Sequence, residues 1–418
     1  MDRRRFLRVA AALAPWAAAG AAAQTKARVV VVGGGYGGAT VARYLKLWAP
    51  ATEVTLVERE SAFVSCPLSN LVIGGHASLD DVTRGYGGLA KAGVRIIADS
   101  ATAIDASRKA VRLARGPELA YDRLVVSPGI DFLFSAMPNY EAAARAGRVL
   151  HAWKAGAETV ALRKQLEALR DGAVYVLSIP LAPYRCPPGP YERACQVASY
   201  FKKAKPRSKV LVLDANEDIT SKAALFRKAW AELYPGLIEY RSNSMAVDVD
   251  GPSKTVKLEL DDVKGDVLNV IPPHRASQLA ADAGLITHND RWCNVDWRTM
   301  ESTAVPSVHV LGDATLSAPA MAKAGHMANQ QAKVCAAAII EMLAGRAPNP
   351  RPVFASTCYS FVSATEAIHV ASVHQWNEQE KTVTIVPGSN GVSAARSEQE
   401  ARYAWAWARN TWADMLGG

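Results

Sequence analysis

A chain of 418 residues exceeds the usual size of one domain, so its length predicts two or three domains with a sizeable core. Half of the residues are hydrophobic and 21% are charged, which is typical of an ordinary globular protein. The formal net charge of +9 could indicate nucleic-acid binding, but the longest basic run is Lys202-Lys203-Ala204-Lys205 and no nucleic-acid-binding motif is present. We therefore predict no nucleic-acid ligand, and instead a basic face that could receive an acidic partner.

Residues 1–23 are predicted to be an export signal rather than part of the fold. Arg3-Arg4-Arg5-Phe6-Leu7-Arg8 forms a charged start, a short run rich in alanine follows, and Ala21-Ala22-Ala23 resembles a cleavage site. The apolar run is too short and too rich in alanine to remain as a membrane span. Paired arginines before Phe-Leu are typical of a twin-arginine signal, which exports proteins already folded around a cofactor. We therefore expect a periplasmic protein, in a compartment where disulfides persist.

The stretch from Arg28 to Leu45 predicts a dinucleotide site. A β-branched strand stops at three glycines spaced G-x-G-x-x-G (Gly33, Gly35 and Gly38) and passes directly into a helical pattern. In such a turn, backbone N–H groups and the positive end of the helix dipole can meet a pyrophosphate. A second strand ends at Glu58, about 20 residues later, where a carboxylate can accept a hydrogen bond from a ribose hydroxyl. This context makes a purely structural glycine turn the weaker interpretation.

Two later strands end in turns that extend this site. One ends in Ser127-Pro128-Gly129, which matches the second glycine turn of flavoproteins with two dinucleotide domains or is a plain turn. The other, Val308–Leu311, ends in Gly312-Asp313, where a carboxylate could accept from a ribityl hydroxyl. Together they predict FAD in a discontinuous first domain, residues 24–150 and 291–348. The positions assigned to FAD are Gly33, Gly35, Tyr36, Gly38, Glu58, Arg59, Ala101, Ser127, Gly129, Gly312 and Asp313.

Residues 151–290 are predicted to form an inserted domain of the same type. The predicted elements are a helix ending at Leu169, strands Ala173–Ile179 and Lys209–Leu213, and helices Tyr191–Lys203 and Lys222–Leu233. A pyridine-nucleotide reductase would carry a second glycine loop after the first of these strands. The loop is instead rich in proline, which lacks an N–H and fixes φ, so we expect no NAD(P)H site. Asp214, at the end of the next strand, is interpreted as a turn residue.

The proline-rich loop presents Cys186 and Glu192. Cys186 is either half of a structural disulfide or a redox thiol held against the flavin, and Glu192 has a plainer interpretation as an acid stabilised by a helix dipole. Further on, a helix beginning in the segment 321–330 would point its N-terminus, together with Lys323, at the N1–C2=O edge of a flavin. An ordinary surface lysine is an equally weighted interpretation of Lys323.

These residues together resemble the flavoprotein subunits of flavocytochrome c sulfide dehydrogenases, relatives of the sulfide:quinone oxidoreductases, and the loop Cys186-Pro-Pro-Gly-Pro-Tyr-Glu192 is the most specific part. The resemblance implies an α/β fold with two Rossmann-like, glutathione-reductase-like domains and a smaller C-terminal α+β interface domain at 349–418. It further implies FAD linked covalently through its 8α position to Cys66, a redox-active disulfide between Cys186 and Cys358, and Glu192 as acid/base.

The resemblance also implies the reaction and the partner. Sulfide would be oxidised to zero-valent sulfur or polysulfide, and electrons would pass to a separate c-type cytochrome subunit in a heterodimer. No Cys-x-x-Cys-His occurs in the sequence, so we expect no haem on this chain. We expect no metal site. Six cysteines allow 15 full pairings, so counting alone gives no disulfide, and Cys195, Cys293 and Cys335 receive no redox role.

Three alternatives remain open at this stage. A peripheral membrane sulfide:quinone oxidoreductase would use the same flavin with a lipid-soluble acceptor, and an NAD(P)H-dependent disulfide or ferredoxin reductase is opposed by the proline-rich loop. A flavin electron-transfer module without catalysis would make the cysteines merely structural. The aromatic C-terminal stretch 401–416 could be an interfacial membrane helix. Because charged residues interrupt it, we expect its aromatic face to pack on the domain or on the cytochrome partner, with no stable membrane insertion.

Overall fold

The first domain is built on a seven-stranded, mainly parallel sheet that two separate parts of the chain complete. The computed structural model describes residues 26–417, so the predicted export signal lies outside the described residues. In spatial order the strands are Val295–Asp296, Glu301–Ser302, Val308–Val310, Arg123–Val126, Arg28–Val32, Glu53–Glu58 and Arg95–Ala98. An interior strand, Arg28–Val32, is buried over its four valines, which is the pattern that a parallel strand covered on both faces requires.

Two helices pack on each other over this sheet, Tyr36–Trp48 and Gly325–Leu343. The turn into the first helix is very tight: a Cβ at Gly38 would lie 1.7 Å from the carbonyl oxygen of Gly33. Gly38 therefore closes the turn instead of facing a ligand. Short elements complete the domain: strands Ala62–Val64, Thr83–Gly85, Ala101–Asp105, Ala110–Leu113 and Leu119–Ala120, and helices Ser69–Gly74 and Gly87–Lys91.

The second domain has a five-stranded sheet in which every neighbouring pair is parallel. Its order is Val149–Leu150, Val267–Val270, Val174–Ile179, Lys209–Asp214 and Ile238–Arg241. Its helices are Ala157–Ala168, Gly189–Ala204 and Ala223–Leu233, and a small antiparallel sheet is formed by Ala246–Asp250, Thr255–Leu258 and Asp262–Lys264. The sheet begins at Val149, just before the predicted boundary at 151. A two-stranded ribbon, Ile130–Phe132 with His274–Ala276, connects the two domains.

The C-terminal domain is an antiparallel sheet covered by one long helix. Strands Val353–Phe361, Ala367–Asn377 and Thr382–Ile385 pair in order, and Gly391–Val392 pairs with the middle strand. Helix Glu398–Leu416 begins at Ser397, whose side chain accepts from the Glu400 N–H. Other helices of the chain are Tyr140–Arg145 and Gln278–Asp282.

The last helix packs part of its aromatic face against the first domain. Trp412 is buried, and its indole nitrogen donates to the Tyr36 hydroxyl at 3.1 Å. Tyr403 is instead half exposed, at 51%. Within residues 26–417, no helix has the length and apolar character needed to cross a membrane.

Gly38→Ala should destabilise the protein, because a methyl group 1.7 Å from the Gly33 carbonyl oxygen forces backbone apart. We expect a loss of about 2 kcal/mol in the free energy of unfolding, measured by chemical denaturation. Gly391→Ala is the matched control, since nothing lies within 4 Å of a Cβ there. Equal stabilities of the two variants would contradict the tight turn.

Candidate active site

A cavity of about 720 Å³ lies where the three domains meet. A volume of this size is typical of a site that holds a large organic cofactor. Fourteen of the sixteen predicted site positions line it, and Gly38 and Lys323 do not. The lining positions are Gly33, Gly35, Tyr36, Glu58, Arg59, Cys66, Ala101, Ser127, Gly129, Cys186, Glu192, Gly312, Asp313 and Cys358.

One end of the cavity has the geometry of a dinucleotide cradle. Gly33 has φ +97°, and a Cβ there would lie 2.2 Å from the Ser127 carbonyl oxygen, so two strand ends meet at this glycine. Nothing lies within 4 Å of a Cβ at Gly35, which leaves that backbone open to the cavity. The Glu58 carboxylate accepts from the Gly34 N–H at 2.5 Å and from the Glu60 N–H at 2.9 Å. Glu58 therefore fastens the glycine turn to the second strand and retains lone pairs for a ribose hydroxyl.

Asp313 provides a direct test of whether a flavin nucleotide fits. Its side chain is half-buried, its Oδ1 atom is buried without a hydrogen-bond partner among the described residues, and desolvation raises the pKa of its carboxyl. A buried acceptor without a donor is costly, so such an atom is expected to receive a hydrogen bond from a ligand. The ribityl chain of a flavin carries hydroxyl donors, so the residues present fit the cofactor that the sequence predicts.

The structure corrects the expectation for Lys323, which is neither at the surface nor in the cavity. Helix Gly325–Leu343 does present its N-terminus to the cavity, through Ala324 and Gly325. The Lys323 ammonium, however, turns away, donates to the carbonyl oxygens of Asp313 and Thr315, and lies 3.8 Å from the ring centroid of Trp292. Burial lowers its pKa to about 8. Lys323 therefore stabilises the Gly312-Asp313 turn from the side away from the cavity. The expectation failed because sequence spacing does not give the direction of a side chain.

Cys66 lies in the loop between strand Ala62–Val64 and helix Ser69–Gly74, where its sulfur is half-buried and borders the cavity. Its Sγ accepts from the Ala155 N–H at 3.5 Å and lies 3.8 Å from the Trp153 carbonyl oxygen. Two segments of the chain therefore hold this thiol where a ligand in the cavity can reach it.

Cys186 and Cys358 come from different domains and meet in the cavity as free thiols. Cys186 has φ +58°, and a Cβ at Gly189 would lie 2.9 Å from its sulfur, so that glycine leaves room for the thiol. The two thiols are hydrogen-bonded to each other, and this bond together with the Lys222 ammonium lowers the pKa of Cys358 to about 7. The same bond and burial raise the pKa of Cys186. Cys358 is therefore the more acidic member of a direct thiol pair.

Glu192 is buried in the first turn of helix Gly189–Ala204 and borders the same cavity. Its Oε1 accepts from the Phe361 N–H at 2.7 Å and its Oε2 from the Asn70 side-chain amide at 2.8 Å. Burial raises the pKa of its carboxyl, while these donors oppose that change. Glu192 does lie in the first turn of a helix, as its plainer interpretation expects, and its side chain is also buried at the wall of the cavity.

Two residues of this region were missed by sequence reasoning, Asn70 and Arg193. The Arg193 guanidinium is fully buried and donates to Asn70 Oδ1 at 3.0 Å, to the His151 carbonyl at 2.7 Å and to the Ala152 carbonyl at 2.7 Å. Its position directly after Glu192 was the one available signal, since a charged residue on an otherwise apolar helix face needs partners.

The crevice of the second domain is filled by its own side chains. Asp214 is the buried last residue of strand Lys209–Asp214, and its Oδ1 accepts from the Asn216 N–H at 3.0 Å, as a turn residue does. Its Oδ2 accepts from the hydroxyls of Tyr191 at 2.7 Å and Tyr240 at 3.0 Å. The amide of Asn216 also donates to it at 2.7 Å. The carboxylate is therefore occupied by protein donors instead of facing a ribose.

Comparison with known families divides the chain into three matches. Residues 159–272 match the model described as sulfide dehydrogenase [flavocytochrome c] flavoprotein chain, central. Residues 350–416 match flavocytochrome c sulphide dehydrogenase, flavin-binding, and residues 27–165 match pyridine nucleotide-disulphide oxidoreductase.

Curated relatives are of two kinds. A mitochondrial sulfide:quinone oxidoreductase of Dictyostelium discoideum is 25% identical over 299 residues, which is 68% of this chain and 65% of the relative. That of Mus musculus is 24% identical over 309 residues, or 69% of this chain, and the chain again spans 65% of the relative's length.

Among solved structures, the sulfide:quinone oxidoreductase of Aquifex aeolicus has a TM-score of 0.76 at 18% identity, covering 94% of this chain and 92% of its own. The covalent putidaredoxin reductase–putidaredoxin complex has a TM-score of 0.66 at 18% identity, over 92% and 93% of the two chains. At these identities the likeness shows the fold, and it confirms the predicted α/β class with two Rossmann-like domains.

The second kind of curated relative is a sulfide dehydrogenase [flavocytochrome c] flavoprotein chain of Chlorobaculum thiosulfatiphilum. This chain is 62% identical to it over 45 residues, which is 11% of this chain and 94% of the relative. With the two flavocytochrome c domain matches and the geometry of the cavity, this relative confirms the resemblance. The chain belongs to the family of flavocytochrome c sulfide dehydrogenase flavoprotein chains.

Proposed function

We propose that this chain oxidises sulfide to zero-valent sulfur or polysulfide through a Cys186–Cys358 disulfide and a bound FAD, and passes the electrons to a c-type cytochrome partner. The observation that carries the proposal is one cavity that joins the thiol pair, the dinucleotide cradle and the unpartnered Asp313 carboxylate. The filled crevice of the second domain supports a substrate-derived reductant over NAD(P)H.

FAD, when bound, supplies a two-electron acceptor that can return electrons one at a time. Gly35, Glu58 and Asp313 would hold it in the cradle. We further propose that Cys66 carries it through a thioether at the 8α position, which the accessible sulfur at the cavity wall supports. Ser127 and Gly129 would line the flavin end of the same cradle.

The protein's own chemistry begins at the disulfide. A hydrosulfide ion attacks one sulfur, so that a new S–S bond forms while the Cys–Cys bond breaks, leaving a persulfide and a thiolate. Glu192 would hold or move the proton at this site, since a buried carboxyl with a raised pKa can exchange protons nearer to neutral pH. Asn70 and the Phe361 N–H would keep its carboxylate oriented.

The partner and the compartment are also proposals. Without the predicted export signal, which carries a net +3 of the full chain's +9, the chain keeps a formal net charge of +6 that is suited to an acidic partner, and the family of the chain is named for a flavocytochrome c. The paired arginines at the N-terminus support export through the twin-arginine route to the periplasm, after FAD has been loaded.

A second candidate function is sulfide oxidation with a quinone as acceptor. The names of the Dictyostelium and mouse relatives favour it, and both share the sulfide half of the reaction. The acceptor separates the candidates, because the first requires a soluble cytochrome and the second a lipid-soluble quinone.

Cys186→Ser and Cys358→Ser should each lower the rate of sulfide-dependent cytochrome c reduction by a factor of about 1,000 or more, because each removes one sulfur of the exchanging bond. Cys335→Ala, which changes a buried helix cysteine, is the control and should retain activity. The assay is run with cytochrome c and with a short-chain quinone. Full activity without Cys186 would defeat the disulfide chemistry, and turnover with the quinone alone would favour the second candidate.

The flavin should remain on the protein after acid denaturation, and peptide mapping should find it on the peptide that contains Cys66. In Cys66→Ser the flavin should be released completely, because serine lacks the thiolate that forms the link, while Cys335→Ala should behave as the unchanged protein. Complete release from the unchanged protein would contradict covalent attachment.

A further inference from the structure

Lys222 is a buried lysine that the chemistry above does not use. It directly precedes helix Ala223–Leu233, has φ 59°, and is 8% exposed. Its ammonium donates to the Cys358 carbonyl oxygen at 3.2 Å and to the Ser360 hydroxyl at 2.8 Å. Both acceptors are uncharged, and both lie on strand Val353–Phe361. The Lys222 ammonium, which belongs to the second domain, therefore contacts the C-terminal strand that carries Cys358.

A buried ammonium needs a nearby negative charge, because desolvation is costly when the charge is unpaired. Burial lowers the pKa of Lys222, and among the acidic groups that oppose this change Cys358 has the largest effect, ahead of Glu192 and Cys186. The hydrogen bonds to Cys358 and Ser360 orient the ammonium but do not balance its charge. The thiol of Cys358 is thus the group best placed to do so.

The charges around the pair lead to the same conclusion. We call Glu192, Arg193, Lys222 and Cys358 the buried charge set. Burial raises the pKa of Glu192, while its two N–H donors favour the ionised form, in which it acts as a base. A guanidinium such as Arg193 stays protonated. These two charges cancel, so Lys222 leaves the set with one positive charge. One thiolate, and not two, brings the set to neutrality.

We propose that Lys222 is the counter-cation of Cys358, which makes Cys358 the anionic sulfur of the reduced pair and Cys186 the sulfur that accepts the substrate atom. This inference rests on the proposed function, because it takes the two cysteines as the redox pair. Lys222 acts through Cys358 and is a positioning residue.

The step is balanced without a further reactant. The hydrosulfide sulfur forms a bond to Cys186 Sγ as the Sγ–Sγ bond breaks, and the bonding electron pair leaves on Cys358 Sγ. The substrate sulfur is oxidised and the Cys358 sulfur is reduced to a thiolate, whose charge Lys222 balances. The thiol of lower pKa is the better leaving group, and the lowered pKa of Cys358 is consistent with that direction.

Other titratable groups face this position. His326 accepts from the Thr357 N–H at 3.0 Å and burial lowers its pKa, and burial raises the pKa of Tyr36, so neither gains charge near neutral pH. Glu400, which also acts on Lys222, is held by the Ser393 hydroxyl at 2.6 Å and by His369. The change of charge expected at neutral pH is therefore that of Cys358.

The test measures the rate at which iodoacetamide alkylates each cysteine as a function of pH, in the full flavin-containing chain after reduction by a phosphine. Peptide mass spectrometry separates Cys358 from Cys186. In the unchanged protein Cys358 should react first, with a midpoint at about 7. Lys222→Met should raise that midpoint by one unit or more, so that alkylation at neutral pH slows about fivefold or more.

Three further variants sharpen the result. Lys222→Arg should keep the midpoint close to that of the unchanged protein, because the charge is retained. Lys228→Met, on the exposed face of the same helix with a side chain 61% exposed, should leave it unchanged. Glu192→Gln should lower it, because a negative charge is removed from the buried charge set. These opposite signs cannot arise from a general loss of packing.

An unchanged midpoint in Lys222→Met, in protein that still carries its flavin, would overturn the proposal, as would faster alkylation of Cys186 than of Cys358. If Lys222→Met does not fold, Glu192→Gln is the deciding variant, and a midpoint of Cys358 that rises in it would also overturn the proposal. Failure of the proposed function is distinguishable: it would appear as the absence of a Cys186–Cys358 cross-linked peptide in the oxidised chain, while the midpoint of Cys358 remains measurable.

Discussion

The Glu192 carboxylate is buried and takes its two N–H donors from different domains. Asn70, on a helix of the first domain, donates to one oxygen, and the Phe361 backbone, on the C-terminal sheet, donates to the other. An unpaired carboxylate at this depth would be costly, so the three domains must meet in one arrangement to satisfy it. The same arrangement brings Cys186 and Cys358 together and closes the cavity over the dinucleotide cradle. The arrangement of the three domains and the meeting of the two cysteines therefore both depend on the hydrogen-bonded carboxylate of Glu192.

The second domain has kept the fold of a nucleotide-binding unit while its crevice has been filled. Tyrosine hydroxyls and an amide occupy Asp214, and the loop that would cradle a phosphate is rich in proline and ends at Cys186. The loop can then hold a thiol in a left-handed backbone conformation next to Gly189, which has no side chain to exclude it. The part of the second domain that would cradle a nicotinamide nucleotide therefore holds a thiol at the cavity instead.

The turns, strands and helices that depend on residues close together in the sequence could be predicted from local patterns. The turn at Gly33, Gly35 and Gly38 and the strand that leads to Asp313 follow from hydrophobic periodicity and glycine spacing. The helices of the inserted domain lie within a few residues of their predicted bounds. The export signal and the covalent link at Cys66 stay predictions.

Side-chain direction and contacts between distant segments could not be predicted in this way. Lys323 was expected at the flavin edge or at the surface, and it lies behind the cavity because its ammonium finds two carbonyl oxygens and the face of Trp292 there. Arg193 and Lys222 carry no motif, since their partners come from segments that only the folded topology brings near.

The most direct test of the central claim follows the sulfur atom itself. One equivalent of sulfide is added to the oxidised chain without oxygen, the thiols are trapped by alkylation, and the cysteine peptides are mapped by mass spectrometry. The account predicts one additional sulfur atom on a peptide of the Cys186–Cys358 pair, together with loss of their cross-linked peptide. A flavin that is reduced by sulfide while neither cysteine gains sulfur would contradict it, because sulfide would then reach the flavin without passing through the disulfide.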